Sequence, residues 1–241
     1  MYTLLKSELE SFPEPRFPQG IDLKAEDRKA RRRFYPVTVI YSLQFLVLLG
    51  FALRSNHALV ALGFVALALV VWTPIEYLVH RHILHGAFPK RGGPLARGLH
   101  YLFDSSHADH HARPWDGMYI NAHMDTLFAA AVFVPLSFLA PYYTLPVFVA
   151  TLLVCYATEE WVHHATHFWN FRWPYFQYLR RRHLYHHTRH GSSLAYGVTS
   201  GIWDAVSKTR IPDRERRKLL PWRAGPTARA ASASAPKDLL A

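Results

Sequence analysis

Residues 180–206 read RRRHLYHHTRHGSSLAYGVTSGIWDAV, and the reading of this stretch sets that of the rest. It carries His183, His186 and His187 as an H-x-x-H-H box between arginines and a Gly-Val-Thr-Ser-Gly-Ile-Trp-Asp run. The same spacing occurs at His107, His110 and His111, and two further pairs are His80 with His85 and His163 with His167. On a helix, positions i, i+3 and i+4 fall within an arc of about 100°, so each box is expected to aim three imidazoles one way. His163 and His167, at i and i+4, stack on one face. His80 and His85, at i and i+5, lie well apart on a regular helix. Gly86 follows at once, so the helix is expected to end or distort there.

Neutral imidazole nitrogen is a good donor to iron, zinc and copper. Ten imidazoles exceed what one ion takes and suit two ions with five or so each. The spacing therefore predicts one two-metal site with ligands His80, His85, His107, His110, His111, His163, His167, His183, His186 and His187. Two boxes of this form are far beyond chance even in a chain with 16 histidines. His57, His100, His123 and His190 read as structural or surface residues, and His82 and His164 sit beside ligands but off their helical faces. Metal-bound histidine usually donates its second N–H to a carboxylate or carbonyl. Glu76, Asp104 and Glu160, each three or four residues before a box histidine, are the candidates for that role.

The composition says where such a site would lie. Half of the 241 residues are hydrophobic and 15% are aromatic, yet the mean hydropathy is only −0.04. The apolar residues must be gathered in blocks. Residues 34–53 carry no charge, and residues 58–79 are mostly Ala, Leu and Val; each is long enough to cross about 30 Å of hydrocarbon. The four residues between them predict an antiparallel hairpin. A third segment, residues 127–139, and a fourth, from 142 to about 156 and continuing as a helix to His167, predict a second hairpin.

The basic residues orient these spans. Eight Lys/Arg lie in residues 1–33, five in 81–124 and fourteen in 172–241; the two hairpin tips carry one, Arg54, and none. By the positive-inside rule both termini and the middle segment are cytoplasmic, and all ten histidines lie at or beyond the cytoplasmic ends of the spans. The basic cluster from Arg28 to Arg33 reads as a juxtamembrane anchor. A net charge of +11 can also mean nucleic acid, but the basic residues follow the spans, so no nucleic acid is expected. The single cysteine, Cys155, excludes a disulfide framework and any cysteine-based cluster. No cleavable signal peptide is expected, because the first residues are polar and charged.

At these residues the sequence resembles the fatty acid hydroxylase superfamily, which includes sterol desaturases. The boxes H-x4-H, H-x-x-H-H, H-x3-H and H-x-x-H-H occur in the family's order and spacing. Glu76-Tyr77-Leu78-Val79-His80-Arg81 and the run from Tyr196 to Asp204 are similar to the fatty acid 2-hydroxylase branch, with Tyr196 standing where Phe is common. Carotenoid hydroxylases are related but usually space their third box more widely than His163 to His167. The resemblance implies an integral membrane fold, two metal ions, O₂ as co-substrate and a lipid or fatty acyl substrate. It also implies an electron donor. Residues 1–33 are too few for the cytochrome b5 domain fused in many eukaryotic relatives, so a separate cytochrome b5-like or ferredoxin-like protein is expected.

Together these readings predict an all-α integral membrane protein, with four membrane helices in two hairpins and a cytoplasmic histidine-rich cap. A polar basic arm spans 1–33, a membrane hydroxylase domain 34–222, and a disordered Ala/Ser-rich tail 223–241. The expected home is the inner membrane if the chain is bacterial and the endoplasmic reticulum if it is eukaryotic. Iron is the expected metal, because zinc has no redox chemistry, although zinc can occupy such a site in a purified protein. Two alternatives stand beside this reading. One is a sterol or carotenoid hydroxylase or desaturase. The other is a metal-binding transporter or sensor, which would place polar residues near the bilayer midplane.

Overall fold

The computed structural model describes residues 20–86, 88–89, 92–120, 134–135, 138 and 140–219. Every regular element among them is a helix. In chain order these are α1 (Leu23–Leu53), α2 (Ala58–Val79), a π-helical turn (His80–Leu84), α3 (Pro94–Leu102), α4 (Asp104–Ala112), α5 (Leu145–Phe168), α6 (Pro174–His186), α7 (Ile202–Val206) and α8 (Asp213–Leu219).

Three helices among the described residues are long and apolar enough to cross a membrane: α1, α2 with its π-turn, and α5. The third expected span, residues 127–139, lies almost wholly outside the described residues, as do residues 1–19 and the expected tail. Helix α5 packs along both α1 and α2. Small residues allow the approach: Ala52, Ala61 and Val147 bury together where the three helices meet at one end. Toward the other end Phe34, Tyr41, Val149 and Leu153 form a second cluster. The opposite faces of α1 and α2 stay bare, with Leu59 85% and Phe51 63% exposed. Apolar stripes left uncovered by the described residues suit contact with lipid.

Pro74 sits inside α2 and removes the backbone bond to Val70. The Thr73 hydroxyl donates to that freed carbonyl at 2.9 Å and itself accepts from Trp203 Nε1 at 3.1 Å, tying α7 to α2. Side-chain repair of this kind is what lets proline persist in an apolar helix.

Helix α1 starts earlier than the hydropathy suggested. Asp22 caps it by accepting from the Lys24 N–H at 2.9 Å, so its 31 residues extend about 46 Å and outreach the hydrocarbon. The surplus turns keep Arg28 and Arg32 exposed but pack other residues inward. Asp27, 4% exposed, accepts from His164 Nε2 at 2.8 Å, Trp169 Nε1 at 3.2 Å and Arg31 at 3.0 Å. Lys29 reaches Asp116 at 2.9 Å, and Glu26 accepts from the Gly117 N–H at 2.9 Å. The start of α1 therefore clamps the end of α5 and the turn after α4.

Candidate metal centre

Each box histidine is delivered by a helix end. Where His80 and His85 stand, α2 passes into a π-helical turn, with His85 N–H donating to His80 C=O at 3.0 Å. An i→i+5 bond stacks residues five apart, and the two rings sit with centroids 5.1 Å apart. The distortion expected at Gly86 is thus this turn, and it is what makes an H-x4-H spacing usable.

The ten histidines assemble into two groups of five whose ligand atoms lie within 4.8 Å of one another. The first holds His80, His85, His107, His111 and His186; the second holds His110, His163, His167, His183 and His187. Neither H-x-x-H-H box aims all three rings one way as the spacing had suggested. His107 and His111 join the first group while His110 joins the second; His183 and His187 join the second while His186 joins the first. Residues i and i+4 lie about 40° apart on a helix and i+3 falls on their far side, so a 100° arc facing two neighbouring centres divides between them. The groups adjoin, with the rings of His111 and His187 stacked at 4.3 Å.

The nitrogens face one another. In the first group the Nε2 atoms of His80 and His107 are 3.2 Å apart, His85 and His186 2.9 Å, His85 and His107 3.0 Å, and His107 and His111 3.2 Å. In the second, His110–His187 is 3.1 Å, His110–His163 3.0 Å, His167–His183 2.8 Å and His183–His187 2.9 Å. Hydrogen bonds cannot satisfy all of these contacts, because the Nε2 of His107 alone faces three other ring nitrogens and a neutral ring nitrogen either donates one bond or accepts. His80 Nδ1 donates to the Tyr196 carbonyl, and His186 Nδ1 to the Leu194 carbonyl at 2.6 Å. A carbonyl only accepts, so the proton is on Nδ1 and a bare lone pair on Nε2. Lone pairs gathered this closely repel unless a cation lies between them. Metal–nitrogen bonds of about 2.1 Å meeting at right angles would place neighbouring nitrogens about 3.0 Å apart. The donor set therefore fits two transition-metal ions.

The acceptors for the outer nitrogens of His80 and His186 are backbone carbonyls, and Glu76 and Asp104, expected from sequence in that role, turn elsewhere. Glu76 accepts instead from the Val198 and Thr199 N–H groups, at 2.6 and 2.8 Å, and from the Thr199 hydroxyl. Asp104 pairs with His100 at 2.8 Å, and Glu160 is buried on a cavity wall. Glu76 points at the loop because the loop's N–H groups are otherwise orphaned beside an apolar helix.

That loop, residues 194–204, is shaped by Asp204. Its carboxylate accepts from Tyr196 N–H at 2.8 Å, Gly197 N–H at 3.1 Å, the Thr209 hydroxyl at 2.8 Å and the Arg182 guanidinium. Ala195 takes φ 58°, a left-handed conformation unusual for alanine, which aims the carbonyls on either side at His186 and His80. Gly197 passes so near the Ser200 carbonyl that a Cβ would lie 2.0 Å from it. The loop thus orients the first group. In the second group the buried Nδ1 atoms of His110, His167 and His187 have no hydrogen-bond partner among the described residues, so helix packing holds those rings.

The remaining histidines sort as follows. His164 is buried but pairs with Asp27, and His82 and His190 are exposed. His57 stacks on Tyr143 at 4.0 Å, and His123 lies outside the described residues. His100, read as structural or surface, is 8% exposed and paired with Asp104.

Burial holds the rings neutral. It pushes His85 down to about 4. Burial first, then the neighbouring imidazoles, holds His107, His110, His111, His183, His186 and His187 well below the usual histidine value. The unfolded chain therefore binds more protons than the folded one below pH about 6.5, and stability falls with pH there. The metal-free protein is expected to keep its full thermal midpoint above pH about 6.5 and lose it progressively toward pH 4. With metal bound the loss starts at lower pH, because the ion holds the same lone pairs that protons need. Thermal scans across this range, with and without chelator, check it.

The site opens on a cavity of about 310 Å³, lined at one end by His80, His107, His110 and His163 and beyond them by Trp72, Val149 and Leu153. The fatty acid hydroxylase family model matches residues 64–209, which contain all ten histidines. The chain belongs to the fatty acid hydroxylase family. Within that family it is 32% identical over 149 residues to a dihydroceramide fatty acyl 2-hydroxylase of Arabidopsis thaliana, covering 60% of this chain and 59% of the relative. It is 26% identical over 163 residues to the fatty acid 2-hydroxylase of Rattus norvegicus, covering 66% and 42%. Against a ceramide very long chain fatty acid hydroxylase of Saccharomyces cerevisiae the identity is 32% over 175 residues, covering 71% and 44%. The solved structure of full-length Scs7p, with only its hydroxylase domain visible, superposes with a TM-score of 0.62 at 26% identity, over 74% of this chain and 67% of that one. The chain spans between about two fifths and three fifths of the length of these three curated relatives.

Proposed function

We propose that this chain is a membrane-bound non-haem oxygenase that hydroxylates carbon 2 of a lipid acyl chain with O₂. The observation that carries the proposal is the pair of five-nitrogen groups whose lone pairs converge at the head of an apolar cavity. Under this reading the first group holds one iron and the second holds another. The two irons supply the redox chemistry that activates O₂ toward an unactivated C–H bond, which no side chain does alone. In the overall reaction one oxygen atom enters the C–H bond and the other leaves as water, which takes two electrons from a separate cytochrome b5-like or ferredoxin-like protein and two protons from solvent.

The chain's own residues do the rest. Leu194 and Tyr196 hold His186 and His80 in the tautomer whose Nε2 faces the metal. Trp72, Val149 and Leu153 give the acyl chain an apolar wall and keep water from the reacting carbon. The 2-hydroxylases among the relatives favour an acyl chain over a sterol or carotenoid. The proposed topology has residues 127–139 as a fourth span, so that two hairpins place both termini and the histidine cap in the cytoplasm. The basic residues of the arm, the middle segment and the C-terminal region support it.

Expression in a lipid-producing host tests the activity. Mass spectrometry of extracted acyl chains is expected to find a product heavier by one oxygen atom, with the hydroxyl on carbon 2. Unchanged lipids together with altered cellular metal content would favour a transporter instead.

A further inference from the structure

The cavity wall carries one group that the metal site leaves unused. From His163 back to Val149 the wall follows α5 for about 21 Å at 1.5 Å per residue and is mostly apolar. Glu159 interrupts it one helical turn, about 6 Å, from His163. Three acids line this cavity. Glu76 is spent on Val198 and Thr199, and Glu160 has a partner of its own. Glu159 makes no hydrogen bond or ion pair with any described residue. A partly buried carboxyl on an apolar wall, without a partner among the described residues, is best satisfied by a ligand that brings a donor.

We propose that Glu159 is a substrate-positioning residue that accepts a hydrogen bond from an N–H or O–H on the polar head of the lipid, next to the carbon attacked. The inference rests on the acyl-lipid reading above and names the class of lipid. Ionised or protonated, a carboxyl offers an acceptor oxygen. Among the described residues no lysine or arginine lines the cavity, so a carboxylate or phosphate head would enter low-dielectric surroundings beside acids and without a countercharge from them. The lipid that fits carries its acyl chain on an uncharged, hydrogen-bond-donating head, such as an amide or a hydroxyl-bearing ester. Seated one turn below the histidines, that head fixes how far the chain advances and so which carbon reaches the metals.

The test uses the full chain, purified in lipid nanodiscs and loaded with iron, against four hexadecanoyl lipids. These are the N-methyl amide (N–H donor), the glycol monoester (O–H donor), the methyl ester (no donor) and the free acid. Binding is read by thermophoresis, and KM and kcat for hydroxylation are read separately. At least one donor lipid is expected to bind about tenfold more tightly than the methyl ester, the gain of one buried hydrogen bond. The free acid is expected to bind no better than the methyl ester. The two donor arms show whether N–H or O–H is the group recognised. Glu159→Leu is expected to raise KM for the preferred donor about tenfold and leave the methyl ester unchanged, while Glu159→Gln, which keeps an acceptor oxygen, retains the preference. Glu159→Ala, which also removes the acceptor, carries the same test should the leucine variant fail to fold. A wild type that takes the methyl ester or the free acid as well as the donors, or a Glu159→Leu variant that keeps the preference, overturns the role of Glu159 alone. A wild type that neither binds nor hydroxylates any of the four overturns the acyl-lipid reading itself.

Discussion

His186→Ala is expected to cut hydroxylated product more than about a hundredfold and to lower the bound metal to about half. Loss of a group that merely orients a ligand costs 10–100-fold, and a ligand itself costs at least that. His186 is fully buried, its Nε2 lies 2.9 Å from that of His85, and its Nδ1 is fixed by the Leu194 carbonyl. Its removal strips one of five nitrogens from the first group and leaves the second group intact. Metal analysis of the purified variant separates this from simple misfolding, which would empty both groups together. His190, exposed on the turn after α6, is the control: His190→Ala is expected to leave both metal content and product unchanged.

Asp204→Ala is expected to destabilise the protein by about 3–5 kcal/mol, because the 5%-exposed Arg182 loses its carboxylate and remains buried as an unpaired charge. The effect should reach the metal site. Asp204 also holds the Tyr196 and Gly197 N–H groups, so its loss frees the loop whose carbonyls fix His80 and His186. The first group is expected to lose its metal at chelator concentrations that leave the second occupied. Asp204→Asn keeps an acceptor and is expected to lose less. Thermal midpoints and metal content under graded chelation check both effects, and a loss below about 1 kcal/mol would mean that Arg182 finds another partner.

The residues that gather into the two histidine groups were the easiest to read. Helical spacing makes an H-x-x-H-H box visible along the chain, and apolar blocks announce α1, α2 and α5, so the clustering of ten histidines and three candidate spans were legible, while the span expected over residues 127–139 lies almost wholly outside the described residues. The division of each box between two groups was not legible. It depends on where two neighbouring centres lie across a 100° arc, and that is set by the packing of α6 against α5 and of α4 against the π-turn. The groups that orient the first set of histidines were invisible for a different reason: they are the main-chain carbonyls of Leu194 and Tyr196, and every residue has a carbonyl. The acids nearest the boxes in sequence drew attention to Glu76 and Asp104, yet their carboxylates face Thr199 and His100. Asp27 went unremarked because it lies in a charged stretch that reads as solvated, while in the fold it holds His164 and Trp169.

The most direct measurement is an element-specific anomalous difference map from crystals of the iron-loaded protein. Two peaks are expected. One should lie about 2.1 Å from the Nε2 atoms of His80, His85, His107, His111 and His186, and the other at the same distance from those of His110, His163, His167, His183 and His187. A single peak, or peaks bound by residues outside these ten, would contradict the account.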